Sequence, residues 1–158
     1  MLFLSCSNRQ CVEIDPKKVI GNTTNSVPYG EHGLYGYIFI NGERHTAAAF
    51  SYNNKALVYV LDKNSFIMDY YFSSFIDWKV IQNIPLGENI EDIITLFGTP
   101  AFGVYCLDDI CSCPTIHTLI YLHKAYNGKR YVMSTYTTSL VFNSDNKLIL
   151  IRESRQWS

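Results

Sequence analysis

The chain has 158 residues, 47% of them hydrophobic, and a formal net charge of −1. That length supports one compact domain, or two small ones sharing an interface, with enough core to fold without a metal or a disulfide. Thirteen scattered basic residues form no basic stripe, which argues against nucleic-acid binding, and no run reaches the roughly 18 apolar residues of a membrane-spanning helix.

The N-terminus reads MLFLSCSNRQ. An apolar run ending in Ser5-Cys6 has the form of the end of a bacterial lipoprotein signal, in which Cys6 is acylated and becomes the first mature residue. A secretory signal needs a basic start and roughly 7–15 apolar residues, and only Met1–Leu4 precede Ser5. The alternatives are a start placed too late, or a cytosolic chain with a chance match. Residues 7–33, with the run GNTTNSVPYGEHG, have loop composition. They suit a tether from a lipid anchor, or an irregular arm packed on the domain. Residues 1–33 are accordingly expected to be a truncated signal and linker.

Strand patterns begin at Leu34. LYGYIFI leads to Asn41-Gly42, the strongest short hairpin signal. RHTAAAFSY meets Asn53-Asn54, and KALVYVLD ends at Lys63-Asn64 before SFIMDYYF. The pattern predicts a four-stranded antiparallel meander over 34–72, with strands near 34–40, 44–52, 56–62 and 65–72. The third strand is apolar at both parities, so it should be covered on both faces. Tyr35, Tyr37 and Phe39 share one strand face, as do Tyr70 and Phe72. Such faces are either core or a tyrosine-rich interface.

From residue 73 the period changes. SSFIDWKVIQNI places Phe75, Ile76, Val80 and Ile81 at helical spacing, with Ser73 or Ser74 as N-cap and Pro85 as the stop. A second helix is written in LGENIEDIITLFGTP. Ile90, Ile93, Ile94 and Phe97 make one apolar face. Asn89 is the N-cap, with Asp92 placed to reach back. Gly87 turns the chain in, Gly98 ends the helix, and Pro100 after Thr99 prevents its resumption. After a cysteine-containing loop at 104–114, TIHTLIYLHKAY, KRYVMSTYTTSLVF and LILIRES read as a three-stranded antiparallel meander turned at Asn127-Gly128 and at NSDNK. The expected fold is therefore α+β: the N-terminal meander, then two short helices packed on a separate three-stranded antiparallel sheet over 73–158.

Five cysteines are present, Cys6, Cys11, Cys106, Cys111 and Cys113. With Cys6 acylated the remainder is even, as an oxidising compartment favours. The spacing of Cys106 and Cys111 allows a small loop disulfide, whereas Cys111 and Cys113 are too close to bridge without strain; unpaired thiols are the alternative. Cys106, Cys111, Cys113 and His117 are a conceivable zinc set, but their spacing matches no usual signature, and His117 and His123 stand too far apart on a strand to share an ion. A Cys113–His117 hydrolase lacks an orienting third group and an oxyanion-hole motif. His32 and His45 stand alone in sequence. No catalytic residue, metal, cofactor or small-molecule substrate is expected.

Two motifs carry a family resemblance. Gly87 with a helix ending in Gly98-Thr99-Pro100, and Phe142-Asn143-Ser144 with Leu148 at the last strand turn, resemble the SmpA/OmlA (BamE-like) domain over about residues 76–153. Asn146 stands where that family often has glycine, and asparagine tolerates the same conformation. The resemblance implies a non-enzymatic outer-membrane lipoprotein facing the periplasm. It would serve as a protein-binding scaffold or accessory subunit in envelope assembly, touching the membrane only through its lipid. The same fold implies an alternative, a soluble inhibitor or immunity-type binding protein.

Overall fold

Among the described residues, eight runs become strands: β1 (Leu34–Ile40), β2 (Glu43–Tyr52), β3 (Lys55–Leu61), β4 (Ile67–Ser73), β5 (Phe102–Val104), β6 (His117–Tyr126), β7 (Tyr131–Phe142) and β8 (Leu148–Arg155). Helices α1 (Trp78–Ile81) and α2 (Ile90–Phe97) lie between β4 and β5. The structure is a computed structural model and describes residues 12, 14–27, 33–40, 42–104 and 117–155. The tight turns carry the backbone their residues allow. Asn53 and Asn54 both have positive φ, 42° and 65°, as a two-residue hairpin turn requires. Asn146 sits at φ 59° in the β7–β8 turn.

The expected pairing of a four-stranded meander with helices on a separate three-stranded sheet is overturned. All eight strands form one mixed sheet in the order β4-β3-β2-β1-β5-β6-β7-β8. Every pairing is antiparallel except β1–β5, which is parallel at Ile38↔Gly103. The splice is β5, three residues long and too short to show a period in sequence. Its close approach depends on two glycines. A Cβ on Gly103 would stand 2.1 Å from the Thr118 carbonyl oxygen, and one on Gly36 would stand 2.5 Å from the Phe102 ring.

The sheet closes part-way on itself, with β7 packing against β2 and β3 across the core. Two side chains pin the closure. Ser51 Oγ accepts the Met133 N–H at 2.9 Å, and Asn54 Oδ1 accepts that of Tyr131 at 2.8 Å. The main core therefore draws on both meanders, with Ala47, Ala49, Val58 and Val60 beside Leu119, Met133, Leu140 and Phe142, and receives Ile81, Ile90 and Ile93 from the helices.

A second core lies on the other face of β2–β4. Val12, Val19 and Val27 cover Ala48, Phe50, Leu57, Tyr59, Leu61 and Ile67. Val12 and residues 14–27 are thus a packed arm rather than a tether, running through two 3₁₀ turns at Pro16–Val19 and Thr24–Ser26. Backbone bonds hold the arm at Val12 N–H to Ser51 O, Gly21 N–H to Ile67 O and Ile67 N–H to Asn22 O, each 2.8 Å. Tyr59 donates to Pro16 O at 3.1 Å. This arm explains the double-sided apolar pattern of β3, which lies one strand in from the β4 edge.

The first helix also differs from expectation. Ser73 ends β4, and its Oγ donates to Thr99 O at 2.8 Å. Ile76 makes a parallel bridge beside His123, with its N–H on Leu122 O at 2.9 Å. Only after this does a single turn form, capped by Asp77, whose carboxylate accepts the Lys79 N–H at 2.9 Å. Sheet pairing has overridden the helical spacing of Phe75 and Ile76.

Candidate functional site

The segment with the best-defined ends is α2. Asn89 Oδ1 accepts the Glu91 N–H at 3.1 Å, satisfying one of the donors that a helix N-terminus leaves open. Gly98 closes the helix at φ 81°, its N–H on Ile94 O at 2.8 Å. The backbone from Gly98 to Ala101 is held from the sheet: Tyr121 donates to Gly98 O at 2.8 Å, Ser73 to Thr99 O, and Tyr71 to Ala101 O, while Pro100 is buried. Gly87, at φ 96°, donates to Leu148 O, and Leu148 returns a bond to Glu88 O, both 2.8 Å. Ile90 N–H reaches Asn146 O at 2.9 Å. Asn143 Oδ1 accepts the N–H groups of Asp145 and Lys147, both at 3.0 Å, and so shapes that turn. Phe142 is fully buried. The motif residues Gly87, Asn89, Gly98, Thr99, Pro100, Phe142 and Asn143 therefore fix the position of α2, with the two motifs meeting at the β7–β8 turn.

Between α1 and α2 this scaffold leaves a groove of about 300 Å³. Its apolar walls are Val80, Ile84, Pro85, Ile93, Leu96 and Phe97. Glu88 and Asp92 stand on the same lining with the Asn83 amide. Leu96 is 69% exposed, and Leu86, in the turn that joins the helices, is 66% exposed. Sequence reasoning placed Val80, Ile93 and Phe97 on apolar helix faces with Leu96 flanking, but did not single out Leu86 or a groove. The available signal was that Leu86 and Leu96 lie off the stripe Ile90, Ile93, Ile94 and Phe97 that the core uses.

A second exposed surface is aromatic. Tyr35 and Tyr37, expected to share a face, are both about half exposed on β1, and Phe39 is half-buried. The Arg44 guanidinium lies 4.6 Å over the Tyr37 ring, and Tyr35 OH meets Thr24 Oγ1 at 3.1 Å. Tyr70 is half-buried, and Phe72 packs against Tyr52 with Lys55 over its ring at 4.3 Å.

Two histidines occupy contrasting surroundings. His123 is buried and stacked between Trp78, 5.6 Å away, and Tyr136, 6.4 Å away. Its Nε2 shares a hydrogen bond with Thr138 Oγ1. Burial pushes its pKa below the ordinary histidine value, against smaller opposing pulls from Glu153 and Asp77. His45 lines an open polar cleft of about 680 Å³ at the ends of β2 and β3, with Nδ1 3.3 Å from Leu61 O and Nε2 3.9 Å from Glu43. Asp62, on the same cleft, accepts the N–H groups of Asn64 and Phe66 and so acts as a turn residue.

Cys6, Cys11, Cys106, Cys111 and Cys113 lie outside the described residues, and with them the lipid-anchor, disulfide and zinc expectations. His117 opens β6, half-buried. Among the described residues no three His, Cys, Asp or Glu side chains converge on a point. Scans of family models, of curated proteins and of solved structures each return no match to this chain.

Proposed function

We propose that the protein is a non-enzymatic binding module for another protein of the cell envelope, held at the periplasmic face of the outer membrane through Cys6. The observation that carries the binding reading is the α1–α2 groove itself, whose apolar lining leaves Leu96 69% and Val80 53% exposed. An exposed apolar groove lined by several aliphatic and aromatic side chains is the kind of surface that marks interaction sites. The surface is rigid where it matters, because hydrogen bonds from β4, β6 and the β7–β8 turn hold both ends of α2. Preorganisation of that kind reduces the ordering that association requires. The envelope placement rests on the Ser5-Cys6 signal remnant and on the resemblance of residues 76–153 to the SmpA/OmlA domain. Since Val12 is already packed on β2, an acyl chain on Cys6 would hold the domain within roughly 20 Å of the bilayer surface, at about 3.5 Å per residue.

The test is site-specific photo-crosslinking in cells that make the protein, with the photoreactive residue placed at Leu96, at Tyr37 and, as a control, at Asp145. Crosslinks to a discrete protein at Leu96 or Tyr37 but not at Asp145 are expected; their absence at both positions would remove the reading. Fractionation tests the anchor. Cys6→Ser should move the protein from the membrane to the soluble fraction, whereas a soluble protein with Cys6 intact would favour the soluble inhibitor.

A further inference from the structure

We infer that the α1–α2 groove receives a basic amphipathic segment of a partner protein, an apolar run flanked by Lys or Arg. This inference rests on the binding-module reading and names the chemistry of the partner. The groove has an apolar floor, with Ile93 buried and Ile84 and Phe97 half-buried, and its rim residues Val80 and Leu96 are open to water. Burial of such aliphatic side chains is favourable in proportion to the apolar area removed from water, so an occupant with apolar anchors gains from the first contact. The volume, about 300 Å³, is at the small end of ligand pockets, which run to roughly 1,000 Å³. A slot between two short helices suits the anchor residues of a peptide helix, spaced i and i+3 or i+4.

Charge selects among the occupants. The ionisable groups on the lining are the carboxylates of Glu88 and Asp92, and among the described residues no cation lies on it. Glu91 stands exposed beside them in the first turn of α2, and the neighbouring cations, Lys79 on α1 and Lys147, which bridges to Asn89 from the β7–β8 turn, are not part of the lining. A basic flank would meet two or three carboxylates at the groove rim. An acidic or phosphorylated segment would meet like charge. A second copy of this chain docking by two-fold symmetry would set Glu88 and Asp92 against their own counterparts, which works against a homodimer through this face.

Selection of random peptides of about 16 residues, roughly four helical turns, displayed against the full chain provides the test. Enriched sequences should combine apolar residues at helical spacing with Lys or Arg. The synthesised consensus should lose affinity about tenfold or more on Leu96→Asp, and again on Glu88→Lys with Asp92→Lys. Both variants alter exposed or half-buried side chains, and an unchanged urea midpoint will confirm their folding. Failure to enrich any peptide, enrichment of acidic peptides, or binding indifferent to both variants would overturn the inference. So would a sedimenting dimer that Leu96→Asp dissolves. Photo-crosslinks from Tyr37 with none from Leu96 would overturn this inference and leave the binding-module reading standing.

Discussion

At Gly103 the polypeptide comes closer to its neighbour than any side chain allows. The backbone there has φ 144°, and an added Cβ would press on the Thr118 carbonyl and the Leu119 Cα. Neither is the end of a flexible side chain, so relief requires moving β5 away from β6. Gly103→Ala is expected to lower stability by about 3 kcal/mol or more, combining backbone strain with disruption of the splice, as a shift in the urea midpoint will show. Tyr59 presents a different case. Burial is the first cause, and nearby tyrosines and Asp15 the lesser ones, that push its phenol up to about 12, so it stays a protonated donor to Pro16 O. Tyr59→Phe keeps the packing and leaves that carbonyl unpaired, at a cost of about 1–3 kcal/mol. His123 makes stability depend on pH. Its folded pKa lies below the unfolded value of about 6.5, so the unfolded chain takes up the proton first. Its contribution is complete above that value and is lost as pH falls through it toward the folded pKa. The charges of Glu153 and, less, Asp77 pull the other way and moderate the effect, and the Arg155 guanidinium lies over the far Tyr136 ring. The urea midpoint of the native protein should therefore fall more between about pH 7 and pH 5 than that of His123→Gln.

At the scale of elements, α2 is short and depends on its ends. Eight residues with two buried side chains have little helical stability of their own. Asn89→Ala should reduce stability by about 1 kcal/mol through loss of the bond to the Glu91 N–H, measurable in the same urea titration. This helix is legible in sequence because its local code is consistent: cap, acidic first turn, apolar stripe, glycine and proline all agree. The hairpin turns at Asn53-Asn54 and Asn146 are legible for the same reason. The helix before Pro85 is legible only in its second half: α1 forms at Trp78–Ile81, but its expected start at Ser73 or Ser74 fails because Ile76 is claimed by a pairing with β6 that no local pattern announces. β5 is still less visible, since three residues carry no period and its partners β1 and β6 are distant in sequence. The groove escaped notice through a related limit: a stripe identifies what a helix buries, whereas Leu86 and Leu96 matter because none of the described residues covers them.

At the scale of the molecule, one sheet serves two cores. The inner core is enclosed by the curl that brings β7 against β2 and β3, and the outer core exists only because Val12 and residues 14–27 lie across β2–β4. Removal of residues 1–27 would uncover Phe50, Leu57, Tyr59, Leu61 and Ile67, all at most 4% exposed in the intact chain. It would also leave the Ile67 N–H without its bond to Asn22 O. A patch of that size on a strand pair near the open β4 edge favours association. The truncated chain is therefore expected to bind a hydrophobic dye and to self-associate, while the groove, built on the other core, keeps its capacity for the selected basic peptide. Retained peptide binding with increased dye binding would show that the arm and the groove are separate devices on a shared sheet. Loss of both would mean that the outer core is required for the sheet to hold its curl, and that the helices are positioned only as long as the arm stays in place.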